Sequence, residues 1–267
     1  MNAAIPLFYE IASVVSLLRN DIDGSHIMSI PLKTSFVVTR YEAIICILLM
    51  ILTGSINSLP RDTGRAFPPQ DRYPYCIALT FDDGPYPEYT QKLLSILENE
   101  NAKATFFVIG RHVNRHPELI KQIHAAGHEI GGHTYNHLNI TRLTPDALQN
   151  ELEMTRKAIA SATGARTYLF RPPGGQKNDR TLRFVHSLGY TSVLWTVLPR
   201  DHEASVTSEH IVKYVYERAH DMGIVLLHAG RQRTLAGLPE IIARLRMKGY
   251  RFVTISELLE EQEKRKG

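Results

Sequence analysis

Cys76-Ile77-Ala78-Leu79-Thr80-Phe81-Asp82-Asp83-Gly84-Pro85 is an almost unbroken apolar run that ends on two adjacent carboxylates and a turn. Such a run, bounded by turn residues, reads as a strand buried on both faces. Beyond it, short apolar runs alternate with longer amphipathic ones. Leu93, Leu94 and Leu97 sit at helical spacing within 89–100, and 104–109 reads as a second strand, rich in β-branched and aromatic residues. A helix over 117–126 is stopped by Gly127, and 129–131 starts a third strand. Thr144 is placed to cap the longest helix, Pro145 to open it and Gly164 to close it. Further strands are predicted at 168–171, 191–195, 224–227 and 251–255, and helices at 179–188, 208–220 and 235–248. Ser256 reads as the cap of a closing helix that begins at Glu257. This regular β-α alternation predicts an α/β fold with a parallel sheet, helices outside it, and enough strands for a complete or incomplete barrel. Chemistry in such folds collects at the carboxyl ends of the strands.

The composition excludes some functions. Hydrophobic residues make up 43% and charged residues 22% of the 267 positions, the balance of an ordinary globular protein. The net charge is +4, but Lys and Arg are scattered without a basic stripe or interleaved aromatics, so no nucleic-acid partner is expected. The mild basicity suits an exported protein near an anionic wall. Cys46 and Cys76 are the two cysteines, too few for a Cys-rich zinc site and badly placed for a disulfide. Nothing in the sequence sets an oligomeric state.

Every residue of 43–52 is apolar; Lys33 and Arg40 precede the run, and Thr53, Gly54 and Ser55 follow it. Basic, apolar and small-residue regions in that order form a secretory signal. The run falls short of the ~20 apolar residues of a spanning helix. An uncleaved signal anchor, if 53–56 extend the run, is the one membrane attachment expected; a helix packed on the domain is the alternative. Met28 stands where an ordinary leader would begin, which points to Met1 as an over-extended start. The predicted organisation is a leader over 1–57, a Pro-containing linker over 58–72 and a catalytic domain over 73–267. The chain is therefore expected to be exported: secreted, periplasmic or held at the cell surface.

Asp82 and Asp83 are electrostatically awkward neighbours at the mouth of a buried strand unless a cation or hydrogen bonds compensate them. One would bind a metal while the other remains as a base; Asp-Gly-Pro is also ordinary turn chemistry. After the third strand comes Gly131-Gly132-His133-Thr134-Tyr135-Asn136-His137. Histidines four apart face one way on a helical turn and chelate zinc there, and the glycines would let the backbone approach closely. His112/His116 and His124/His128 share the spacing. The first of these also follows a strand and rivals His133/His137, though its surroundings read as the polar start of a helix. The fourth strand ends Phe170-Arg171-Pro172-Pro173-Gly174-Gly175, a rigid turn with a cation suited to orienting an aspartate base. Trp195 ends the fifth strand, Asp201 follows in a loop, and Leu226-Leu227-His228 closes a later strand. An aspartate partner would fix the tautomer of His228 and make it a general acid. Together these residues describe a hydrolase: Asp83, His133 and His137 as a two-His, one-carboxylate metal site, Asp82 as base and His228 as acid.

With those motifs in order, the chain resembles the polysaccharide deacetylase family with the NodB-type domain, carbohydrate esterase family four. The resemblance spans about 75–259, including the ending Gly249-Tyr250-Arg251-Phe252-Val253-Thr254-Ile255-Ser256. It implies a distorted (β/α) barrel of seven or eight mostly parallel strands and removal of N-acetyl groups from chitin, chitooligosaccharide or peptidoglycan. It implies zinc, or another divalent transition metal such as Co2+, Ni2+ or Mn2+, on Asp83, His133 and His137. Arg171 becomes the partner of the base Asp82, Asp201 supports the acid His228, and Pro173 and Gly174 help to hold the oxyanion. Trp195 and Leu226 are assigned to the substrate site. Three positions depart from the family pattern: His202 where tryptophan is common, Gly174 where tyrosine is, and Leu198 where aspartate is. An O-acetyl esterase acting on acetylated xylan and a non-catalytic glycan-binding module are the alternatives.

Overall fold

The computed structural model describes residues 72–266. The leader, Met28, Cys46 and all of the linker except Arg72 lie outside these residues. Among the described residues, no helix is long and apolar enough to cross a membrane, and Cys76 is free and buried.

The strands are β1 (Tyr75–Asp82), β2 (Thr105–Val108), β3 (Glu129–Gly132), β4 (Leu169–Phe170), β5 (Thr191–Ser192), β6 (Gly223–His228) and β7 (Tyr250–Phe252). The helices are α1 (Pro87–Asn99), α2 (Gly110–Arg115), α3 (Pro117–Ala125), α4 (Pro145–Thr163), α5 (Asp179–Ser187), α6 (Ser208–Arg218), α7 (Gln232–Met247) and α8 (Ile255–Lys264). Every strand pairing is parallel, in the order β5-β4-β3-β2-β1-β6, with β7 on the first residues of β1. Past β5, Val197 forms an isolated parallel bridge to Val225 of β6. The sheet is thus curled into a partial barrel whose last seam is a bridge in place of a ladder.

Alternation along β1 builds two layers. Ile77, Leu79 and Phe81 pack with Leu93, Leu97, Leu238 and Ile242, between sheet and helices. Cys76 and Ala78 face the other way, onto Phe107, Val193, Val253 and Ile255. Thr80 and Asp82 continue that inner side, so period two brings a carboxylate to the interior just where the strand ends. Burying each large apolar side chain of the outer layer contributes about 1.5–3 kcal/mol.

Local signals set most boundaries. The Thr144 hydroxyl accepts from Ala147 N, and Gly164 ends α4 at φ 75°. Four expectations need correction. The strands over 168–171 and 191–195 shrink to two residues each, because Pro172 and Pro173 offer no N–H to extend the ladder. The final strand stops at Phe252, and Thr254, not Ser256, caps the closing helix. Thr254 and Glu257 exchange side-chain and backbone hydrogen bonds in a capping box, which outcompetes a lone serine.

Candidate functional site

Strand register assembles the site. Asp82 lies directly opposite His228 on β6 and Phe107 on β2. Val108 pairs with Gly132, and Gly132 with Phe170. The residues just past these pairs leave from one end of the sheet: His133 N donates to Val108 O (2.9 Å), and Arg171 N donates to Gly132 O (2.9 Å). Close approach here needs glycine, since a Cβ at Gly131 would fall 2.6 Å from the Phe107 ring.

Asp82 and Arg171 form a buried pair. Arg171 is 0% exposed; its Nη1 donates to Asp82 Oδ1 (2.8 Å) and Thr80 Oγ1 (2.7 Å), its Nε to Val193 O and its Nη2 to Leu194 O (both 3.2 Å). The guanidinium also lies 4.1 Å from the centroid of the Phe107 ring. Burial pushes the Arg171 pKa down and the Asp82 charge opposes that, so the group stays a cation. The fork ties down one oxygen of Asp82, and Oδ2 faces His133 Nε2 at 3.8 Å.

His133 and His137 meet in a loop, not on the predicted helical turn. Thr134 (φ 56°) and His137 (φ 61°) are left-handed, as is Asp83 (φ 77°). Such backbone is held only where its surroundings over-determine it. Here Gly110 N and Arg111 N donate to Thr134 O and Tyr135 O, and Asn136 donates from backbone and side chain to Glu151 of α4 (2.7 and 2.6 Å).

Asp83 Oδ1 is buried without a directed hydrogen bond; His137 Nε2 stands 3.3 Å from it and His133 Nε2 3.6 Å. His133 Nδ1 lies 2.8 Å from Arg171 O, a carbonyl that only accepts, so Nδ1 carries the proton and Nε2 presents a lone pair. Burial lowers the His133 pKa against the pull of Asp82 and Asp83. Burial also opposes ionisation of Asp83, but the contact with His137 and the electrostatic pull of the neighbouring imidazoles outweigh it and hold its pKa at about 2. A buried anionic oxygen facing the lone pair of His133 Nε2 is stable when a cation stands between them. The three donor atoms lie within 4.8 Å of one another, and the second nitrogen of His133 has the backbone partner that ligating histidines usually have. The residues therefore fit a divalent metal.

His228 faces this cluster from the other side. Its Nδ1 donates to Asp201 Oδ1 (2.7 Å) and its backbone N to Asp201 Oδ2 (2.8 Å); Thr234 Oγ1 donates to the same Oδ2 (2.6 Å). Asp201 is 0% exposed. Burial works against both charges, yet the pairing wins: the His228 pKa is raised and the Asp201 pKa lowered. The proton on Nδ1 is fixed, which leaves Nε2 for chemistry.

The remaining expected residues surround this end. Gly174 is left-handed (φ 58°) and exposed beside buried Pro173, in a single 3-10 turn (Pro173–Gly175). That turn packs on Trp195, whose ring would lie 2.6 Å from a Cβ at Gly175. Leu226 is buried on the inner face, two residues below His228. Of the rival histidines, His116 lies beside Glu118, and His128 is buried against Phe106, with its pKa lowered to about 4 by burial and by Lys103.

Sequence reasoning missed four supports. Thr80 accepts from Arg171 and donates to Val225 O, while Thr234 holds Asp201. Glu151 clamps the histidine loop; its one signal is an acidic residue on the apolar face of α4, beside Leu148 and Leu152. His112 Nδ1 donates to the Asp83 carbonyl at 3.0 Å, so the rival histidine buttresses the backbone of the candidate metal site.

The polysaccharide deacetylase family model matches residues 70–193, which hold Asp82, Asp83, His133, His137 and Arg171. A peptidoglycan-N-acetylglucosamine deacetylase of Bacillus cereus is 45% identical over 188 residues, 68% of this chain and 87% of that protein. The peptidoglycan-N-acetylmuramic acid deacetylase PdaA of Bacillus subtilis is 33% identical over 226 residues, 79% of this chain and 85% of that protein. The solved structure of the peptidoglycan deacetylase PdaC from Bacillus subtilis superposes with a TM-score of 0.68 at 33% identity, covering 74% of this chain and 96% of that one.

Proposed function

The chain belongs to the polysaccharide deacetylase family, and from that premise we propose that it removes N-acetyl groups from the amino sugars of peptidoglycan. It is a hydrolase of non-peptide carbon–nitrogen bonds. The named activities of its curated relatives favour peptidoglycan over chitin. That substrate lies outside the cytoplasm, in keeping with export by the leader proposed over 1–57.

One observation carries the reading: Asp82 and His228 stand in register on neighbouring strands, each oriented by a buried partner, beside a donor set that fits a divalent cation. Asp83, His133 and His137 would hold the metal, with zinc the natural choice for two imidazoles and one carboxylate. When bound, the ion supplies Lewis-acid polarisation of the acetyl oxygen and a more acidic water. Asp82 Oδ2 takes a proton from the attacking water while Arg171 holds Oδ1. His228 Nε2 gives its proton to the departing nitrogen, the C–N bond breaks, and acetate and a free amine result. Asp201 stabilises the imidazolium that precedes this transfer. The Pro173–Gly175 turn and Trp195 border the place where the acetyl group would lie.

The test is acetate release by the zinc-loaded chain from peptidoglycan, chitooligosaccharides and poly-N-acetylglucosamine, with Asp82→Asn as control. Release from peptidoglycan that is lost in the variant is the expected result. No release from any of these glycans would overturn the assignment.

A further inference from the structure

A second donor set stands beside the first. Among the described residues, two groups of three side chains bring their ligating atoms within 4.8 Å of one another: Asp83, His133 and His137, and Asp201, His202 and His228. The imidazole pairs are geometrically alike. The His133 and His137 centroids are 5.1 Å apart at 56° between planes; those of His202 and His228 are 5.1 Å apart at 64°. His202 is exposed at the rim and His228 partly buried below it. The hydrogen bond from Nδ1 to Asp201 leaves the Nε2 of His228 uncommitted on the side of the reaction.

We propose that His202 and His228, backed by the charge of Asp201, form a second divalent-metal site whose occupation switches the enzyme off. Asp201 already accepts three hydrogen bonds, so its part is to orient His228 and offset the charge of the ion. The two imidazoles supply the ligands and solvent completes the coordination. Ligands of this type select Zn2+, Ni2+ or Cu2+ over Mg2+ or Ca2+. The site is weaker than the first, where a carboxylate without a committed hydrogen bond is itself a ligand. Inhibition, which rests on the deacetylase reading, follows from atom economy. The Nε2 lone pair that binds the ion cannot also carry the proton needed by the leaving amine.

The experiment titrates Zn2+ into the metal-stripped chain by calorimetry, for wild type, His202→Phe and His202→Gln. Acetate release is measured for each at one equivalent and in excess. Wild type should show a tight equivalent followed by a weaker one, and both variants should retain only the tight one. Loss of a general acid removes roughly 10²–10⁴-fold in rate. Excess Zn2+ should therefore slow wild type at least tenfold relative to one equivalent, while each variant keeps its own one-equivalent rate. A single equivalent in wild type, or a second one that persists in both variants, overturns the site. Two equivalents in wild type without inhibition overturn the switch. If His202 governs a second equivalent but acetate is never released, the site stands and the deacetylase assignment fails.

Discussion

Asp201→Asn isolates the acid half of the proposed chemistry. Three donors converge on the two carboxylate oxygens of Asp201: His228 Nδ1 at 2.7 Å, His228 N at 2.8 Å and Thr234 Oγ1 at 2.6 Å. An amide offers one acceptor and one donor group. The backbone N–H of His228 cannot reverse its role, so the amide oxygen turns to it and the NH2 faces Nδ1. His228 must then give up its Nδ1 proton, and nothing stabilises the imidazolium. The predicted loss in kcat/KM on an N-acetyl substrate is about 10²–10⁴-fold, or roughly 2.7–5.5 kcal/mol of transition-state stabilisation. An O-acetyl ester, whose leaving group needs less protonation, should lose less. The pH profile adds a sign. The acid form is required, and in wild type the His228 pKa lies above 6.5 despite burial, so activity falls as pH rises through that raised value. In the variant, burial is opposed only by the charges of Asp83 and Asp82, and the alkaline limb moves to lower pH. Folding stability has its own window. The His228 contribution is fully present below pH 6.5 and lost as pH climbs through its folded pKa; that of Asp201 is present above 3.8 and lost as pH falls through its lowered one. Acetate release on paired amide and ester substrates between pH 5 and 9 measures the catalytic effects. Wild-type kcat/KM on the amide with an unmoved alkaline limb would refute the role given to this pair.

Arg171→Met should leave the buried Asp82 charge uncompensated and cost about 3–5 kcal/mol in urea unfolding. A loss below about 1 kcal/mol would mean that water reaches Asp82. Arg171→Lys keeps the charge but cannot span Thr80, Asp82, Val193 O and Leu194 O with one nitrogen, so it recovers only part of that loss. Zinc at about 100 times its Kd should add about 2.7 kcal/mol of stability; thermal unfolding of His133→Ala, which lacks a ligand, should show almost none of it. His112→Leu frees the Asp83 carbonyl and should weaken zinc binding about tenfold in a chelator competition. His112→Asn, whose amide nitrogen replaces Nδ1, should restore it; equal affinities in both variants would exclude the buttress.

Much of the fold is legible because it rests on local physics. The apolar run 76–81, the Thr144-Pro145 start and the Gly164 stop each express a preference of a few neighbouring residues, and the strand and helix stand there. The strands at 168–171 and 191–195 are shorter than their pattern, because the pattern continues where the ladder cannot.

What the sequence by itself determined was the order of strands and helices and the residue types that follow each strand: paired carboxylates, two histidines, an arginine and a last histidine. That suffices for the family, since a parallel sheet brings its strand ends together. Only the tertiary structure decided the geometry. Register set Asp82 opposite His228, left-handed residues and Glu151 brought His133 and His137 together without a helix, and His112 was a backbone support instead of a ligand. Spacing along a chain says which side chains can be close. Their actual partners depend on contacts between residues far apart in sequence, such as Arg171 with Thr80 and Asp82, which no local pattern encodes.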